Sequence, residues 1–167
     1  MNSILVAGIG NIFLGDDGFG SEVARRLIQR PASPEVRVAD FGIRGLDLAF
    51  TLVDGWDTTI IVDAMPRGGE PGSIYVIEPD LSTIDGDCVA LEAHAMDPMR
   101  VLALARSMGA ELKNILIVGC EPETFGPPDE GRLGLSPSVA RAVEGALDVI
   151  ESLVAKQKHT KTKGVTT

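Results

Sequence analysis

The side chains best suited to chemistry in this 167-residue chain are two aspartates, Asp17 and Asp63, and one histidine, His94. Asp17 follows the apolar run SILVAG (3–8) through a turn containing Gly8, Gly10 and Asn11, and Asp63 stands near the end of TTIIVDA (58–64). His94 is one of two histidines; the other, His159, sits near the C-terminus. Two carboxylates and an imidazole make an O, O, N donor set. Such a set suits a borderline divalent metal such as nickel, zinc or cobalt and leaves coordination positions open for a substrate. Carboxylates gathered in one place repel each other, so the cluster needs a proton, a basic side chain or a metal ion.

Each residue also has a plainer reading. A strand-end Asp serves as a turn former or helix cap about as often as it serves as a ligand, and Asp16 reads as cap or turn. A lone His is more often structural. Asp40, after a second strand, either faces the cluster or bonds the amides of the Gly42–Gly45 turn, and the turn is favoured. Nucleophilic machinery is absent from the sequence: there is no GxSxG elbow and no HExxH, and Cys88 and Cys120 are isolated thiols without a CxxC pair. The Gly8–Gly10 turn invites a dinucleotide reading, but the fingerprint needs Gly where Phe13 stands and a helix that starts at once.

The elements that must position these groups read as strands separated by helices. Short, nearly continuous apolar runs at 3–8, 36–41, 58–64, 73–78 and 115–119 are strands, the fourth at an edge of the sheet. Helical spacing recurs in four places. A first helix begins near Gly18, a second stretch holds Leu46, Leu48, Ala49 and Leu52, and a third has Asp97 as cap and Pro98 in first position. The last starts at Ser136 and Pro137. Residues 79–94 have no clear period, and 121–135 form a long loop rich in Glu, Pro and Gly. This alternation predicts one α/β domain over residues 1–155. Its mainly parallel, five-stranded twisted sheet lies between helix layers, and ligands bind outside the C-terminal strand ends where the chain order reverses. Residues 156–167, Lys/Thr-rich, are expected to be disordered.

The formal charge is -9, and removing the four lysines of 156–167 leaves -13 on the body. A body this acidic repels phosphate backbones and anionic lipid, so neither nucleic acid nor membrane is an expected partner. A cation or a basic protein suits it better, although solvated acidic faces would carry the same charge. The apolar start lacks a basic n-region and is broken by glycine, and no apolar run reaches the roughly 18 residues of a membrane helix. The expected location is cytoplasmic.

The motifs LVAGIGN (5–11), LGDDGFG (14–20), DFGIRG (40–45), IVDA (61–64) and Ala93-His94 together resemble the [NiFe]-hydrogenase maturation proteases, over nearly all of residues 1–155. The resemblance implies a three-layer α/β/α fold of the phosphorylase/hydrolase-like kind. It also implies endopeptidase activity on the C-terminal extension of a hydrogenase large-subunit precursor. Its metal ligands fall on Asp17, Asp63 and His94, with Asp17 standing where some relatives have Glu. The metal it implies is nickel carried by the precursor, with no tightly bound organic cofactor, so that the ion is both recognition element and Lewis acid. Asp40, Gly42 and Gly45 fall on the segment implied to contact the precursor. Whether one carboxylate also acts as general base stays open.

Two rivals remain at this point. An ordinary peptidase or hydrolase would own a tightly bound zinc. A Mg²⁺-binding receiver domain would need a Lys after its fifth strand, where this chain has Cys120-Glu121-Pro122.

Overall fold

The computed structural model describes residues 2–84 and 97–160. Five strands form one sheet: β1 (Ile4–Ile9), β2 (Val36–Gly42), β3 (Thr58–Ala64), β4 (Ile74–Ile77) and β5 (Asn114–Cys120). Their order is β2-β1-β3-β5-β4, with every pair parallel except the antiparallel β4–β5 edge. The four helices are α1 (Phe19–Ile28), α2 (Gly45–Val53), α3 (Pro98–Ser107) and α4 (Pro137–Thr160). These are the expected strands and helices in the expected layers.

The strands read as continuous apolar runs because both faces of the sheet are covered. On one face Ile4, Val6, Ile60, Val62 and Val118 pack with Phe19 and Val23 of α1 and Val143, Leu147 and Ile150 of α4. On the other, Leu5, Ala7, Ile61 and Ile117 meet Leu48 and Leu52 of α2 and Leu102 and Ala105 of α3. Adjacent residues of one strand thus serve opposite cores, the two-residue alternation of an extended chain. At Gly8 and Gly20 the backbones of β1 and α1 meet without an intervening side chain. A Cβ on Gly20 would come within 2.1 Å of the Val62 carbonyl oxygen, and one on Gly8 within 2.2 Å of the Gly20 carbonyl oxygen.

After β1 the chain moves to β2 on one side, then returns to place β3 on the other. The C-terminal ends of β1 and β3 therefore flank the point where strand order reverses, the usual location of a ligand crevice in such sheets. A bulge shifts the β1–β2 register there, so that Gly8 faces Asp40 but Ile9 faces Gly42.

The C-terminal boundary needs correction. α4 continues to Thr160, past the expected onset of disorder at residue 156. Its last turns are anchored from several directions: Asn2 Nδ2 donates to the Gln157 carbonyl at 2.6 Å, and Asn114 Nδ2 donates to Gln157 Oε1 at 2.9 Å. Lys158 also binds Glu35 and Ser33. Tertiary contacts of this kind override a composition that on its own favours disorder.

Candidate active site

Asp17 is placed by a 3₁₀ turn, Gly15–Gly18, between β1 and α1. The Asn11 amide donates to its Oδ2 at 2.9 Å, folding the post-β1 loop back onto the carboxylate. Gly10 makes that fold possible: its φ is +134°, and a Cβ there would lie 1.9 Å from the Asp17 carbonyl oxygen. Asp63 stands at the C-terminal end of β3, where the backbone pairs with Gly119 of β5. It is only 5% exposed, and its Oδ1 accepts no hydrogen bond among the described residues.

Electrostatics set these two acids apart. Burial, then the charge of Asp17, push the Asp63 carboxyl well above the usual carboxylate range, with the Ala64 amide opposing and Asp97 adding a little. Burial also raises Asp17, against the hydrogen bond from Asn11. Two acids whose ionised forms are both disfavoured form a poised receptor for a cation, because an arriving positive charge relieves desolvation and repulsion together. Both line a cleft of about 390 Å³ with Leu14, Arg67, Asp97 and Phe125 on its walls. Asp97 caps α3 by accepting the Met99 amide at 2.9 Å, as its place before Pro98 predicts.

His94 and Cys88 lie outside the described residues. Among the described residues, no group of three or more His, Cys, Asp or Glu side chains stands close enough to hold a metal. The sheet thus brings Asp17 and Asp63 to one cleft.

The other candidates separate by their partners. Asp40 Oδ1 accepts from Ser21 Oγ at 2.8 Å and from the Gly42 amide at 3.0 Å, which is the turn role that the sequence favours. Asp40 and Gly42 line a neighbouring cleft with Gly10, Asn11, Phe13 and Ser21, so the post-β1 loop walls both clefts. Gly45 opens α2 and is not part of that lining. Cys120 is buried, and burial, with the nearby charges of Asp16 and Glu121, pushes its thiol up to about 12, far from a working thiolate.

Two buried acids build the site's frame: Asp16, which the sequence reads as cap or turn without revealing its distant partners, and Glu121, which the sequence reading does not single out. Asp16, fully buried, accepts the amides of Glu123, Thr124 and Ser136 and the Ser136 hydroxyl at 2.7–3.0 Å, which pins the 121–135 loop beside Asp17. Burial alone would raise its carboxyl, but the hydrogen bonds outweigh it and leave the group below its ordinary value. Ser136 therefore spends its hydroxyl on Asp16 at the start of α4. Glu121 accepts the amides of Arg67 and Gly68 and the Tyr75 hydroxyl, fixing the β3–β4 connection. For Glu121 the available signal was an acid at the end of a buried strand, as it is for Asp63.

Asp17 and Asp63 share one cleft beyond the ends of β1 and β3, and comparison with known proteins decides the family. Residues 21–153 match the hydrogenase maturation protease family. The chain belongs to that family. A putative hydrogenase maturation protease of Methanocaldococcus jannaschii is 36% identical over 155 residues, covering 92% of this chain and 97% of its own length. The hydrogenase expression/formation protein HupD of Bradyrhizobium diazoefficiens is 30% identical over 93% of this chain and 79% of its own. Among solved structures, the hydrogenase maturating endopeptidase HybD of E. coli superposes with a TM-score of 0.72 at 28% identity, over 92% of this chain and 93% of that one. This maturation protease is accordingly a peptidase with the expected three-layer fold. No helix among its described residues is long and apolar enough to cross a membrane.

Proposed function

We propose that this peptidase removes the C-terminal extension of a [NiFe]-hydrogenase large-subunit precursor that already carries nickel, and that Asp17, Asp63 and His94 complete the coordination of that nickel. The observation that carries the proposal is the buried Oδ1 of Asp63, unpaired among the described residues, beside a second disfavoured carboxylate. An unsatisfied buried acceptor costs about 1–3 kcal/mol, and more when charged, so it persists where function requires it. A divalent cation delivered by the substrate meets two oxygen donors here. His94, three positions before the cleft-lining Asp97, supplies the imidazole that completes an O, O, N set.

The chain's own residues then have distinct tasks. Asp63 releases its proton as the cation enters, and Asp17, held through Oδ2 by the Asn11 amide, keeps its orientation. Leu14 and Phe125 exclude water from the cleft walls. Asp40, Gly42 and Gly45 contact the precursor beyond the cleft, with the post-β1 loop coupling the two regions. When bound, the nickel supplies Lewis-acid polarisation of the peptide bond. The test is cleavage of nickel-loaded precursor by Asp17→Ala, Asp63→Ala and His94→Ala proteins whose folding is verified by melting. Each should lose at least about 100-fold in rate. Full activity in any folded variant removes that residue from the ligand set.

A further inference from the structure

The cleft that holds Asp17 and Asp63 has a single cation among its described lining residues, Arg67. Glu121, 5% exposed at the end of β5, accepts the Arg67 amide at 2.8 Å, the Gly68 amide at 3.0 Å and the Tyr75 hydroxyl at 3.0 Å. A Cβ on Gly69 would lie 2.2 Å from the Tyr75 hydroxyl, so the turn closes tightly over that ring. The guanidinium carbon stands 5.5 Å from the Tyr75 ring centroid, a cation–π placement that orients the side chain without using its donors. Glu121 is occupied by amides and a hydroxyl, and the Arg67 guanidinium has no hydrogen-bond or ion-pair partner among the described residues. A guanidinium is thus fixed beside a cation receptor with its planar fork of donors unspent.

We propose that Arg67 is a specificity residue that receives a carboxylate of the substrate polypeptide, so that the cleft reads a metal and an anion side by side. This rests on the reading that the cleft processes a metal-bearing precursor. The fork matches a carboxylate bidentately, which a neutral carbonyl does not reproduce, and an ammonium in its place would offer only a point charge. A metal entering beside Asp17 and Asp63 adds its positive charge to that of Arg67, so the anion is held more strongly with the metal in place. The carboxylate has two possible sources: an acidic side chain flanking the cleaved bond, or the terminal carboxylate of the extension.

The experiment is steady-state cleavage of nickel-loaded precursor by full-length wild-type, Arg67→Ala and Arg67→Lys proteins. Arg67→Gln, which keeps the stem on the Tyr75 ring, serves if Arg67→Ala melts far below wild type. Loss of the fork should raise KM about 10-fold with kcat changed less than about threefold, and Lys should restore only part of the loss. Two altered precursors locate the partner: one with the flanking acids changed to amides, one with a Gly-Ser extension that displaces the terminal carboxylate. One of them should raise the wild-type KM as much as Arg67→Ala does and add nothing to Arg67→Ala. A KM for Arg67→Ala within about twofold of wild type overturns the proposal. So does a loss confined to kcat, or a wild-type KM indifferent to both precursors. Failure of the wild type to cleave nickel-loaded precursor counts against the processing reading and brings this proposal down with it. Normal wild-type cleavage with an unchanged Arg67→Ala KM counts against Arg67 alone.

Discussion

Replacing Asp63 by Asn should make the isolated protein more stable while destroying its activity. Asn preserves the shape of the side chain and removes a charge that burial and Asp17 both oppose. Because the folded-state pKa of Asp63 lies above its unfolded value, the folded protein keeps a proton over a pH window in which the unfolded chain has lost it. Wild-type stability must therefore fall as pH rises through that window, and the penalty disappears below the ordinary carboxylate range. At neutral pH the penalty for a 5%-exposed acid with one unpaired oxygen is about 1–3 kcal/mol. In a domain of this size each kcal/mol moves the melting temperature by roughly 2–4 °C, so Asp63→Asn should melt about 2–12 °C above wild type at pH 7. Melting curves of both proteins between about pH 4 and pH 8 test this, and the gap should widen as pH rises. A less stable Asp63→Asn protein at pH 7, or a gap that does not grow with pH, would refute the claim that function maintains a strained carboxylate here.

Asp16 should behave in the opposite way. Its carboxyl is lowered in the folded state, so its stabilisation is present above the ordinary carboxylate range and is lost as pH falls through the folded value. Asp16→Ala leaves three amides and a hydroxyl without their acceptor and should cost about 4 kcal/mol at pH 7 by urea denaturation, with a smaller deficit in acid. Gly20→Ala drives a methyl group into the Val62 and Ile9 backbone oxygens and should cost about 3 kcal/mol or more, read as a lower urea midpoint at unchanged slope.

The layers of the fold were legible because burial on both faces leaves little freedom in strand composition: SILVAG and TTIIVDA have no polar alternation to mistake for a half-exposed strand. The convergence of Asp17 and Asp63 followed from topology, since the reversal of strand order between β1 and β3 sets one site for both. Asp16 and Glu121 were not legible in the same way. Asp16 finds its partners 107–120 residues away, and nothing local in Asp16-Asp17 distinguishes the acid that ties the 121–135 loop from the acid that faces the cleft. Arg67 looks like one more charge in a Pro/Gly-rich turn until the Glu121 and Tyr75 contacts give it a fixed position. The end of α4 was misplaced for a related reason: Lys156 to Thr160 look disordered by composition, yet Gln157 and Lys158 are held by residues from three other parts of the chain.

The central claim is that the carboxylate pair takes a metal delivered by the substrate. It is tested most directly by incubating the wild-type protein with matched nickel-loaded and nickel-free hydrogenase large-subunit precursor and following release of the C-terminal extension. Cleavage confined to the nickel-loaded form is the expected result, and equal cleavage of the nickel-free form would contradict it.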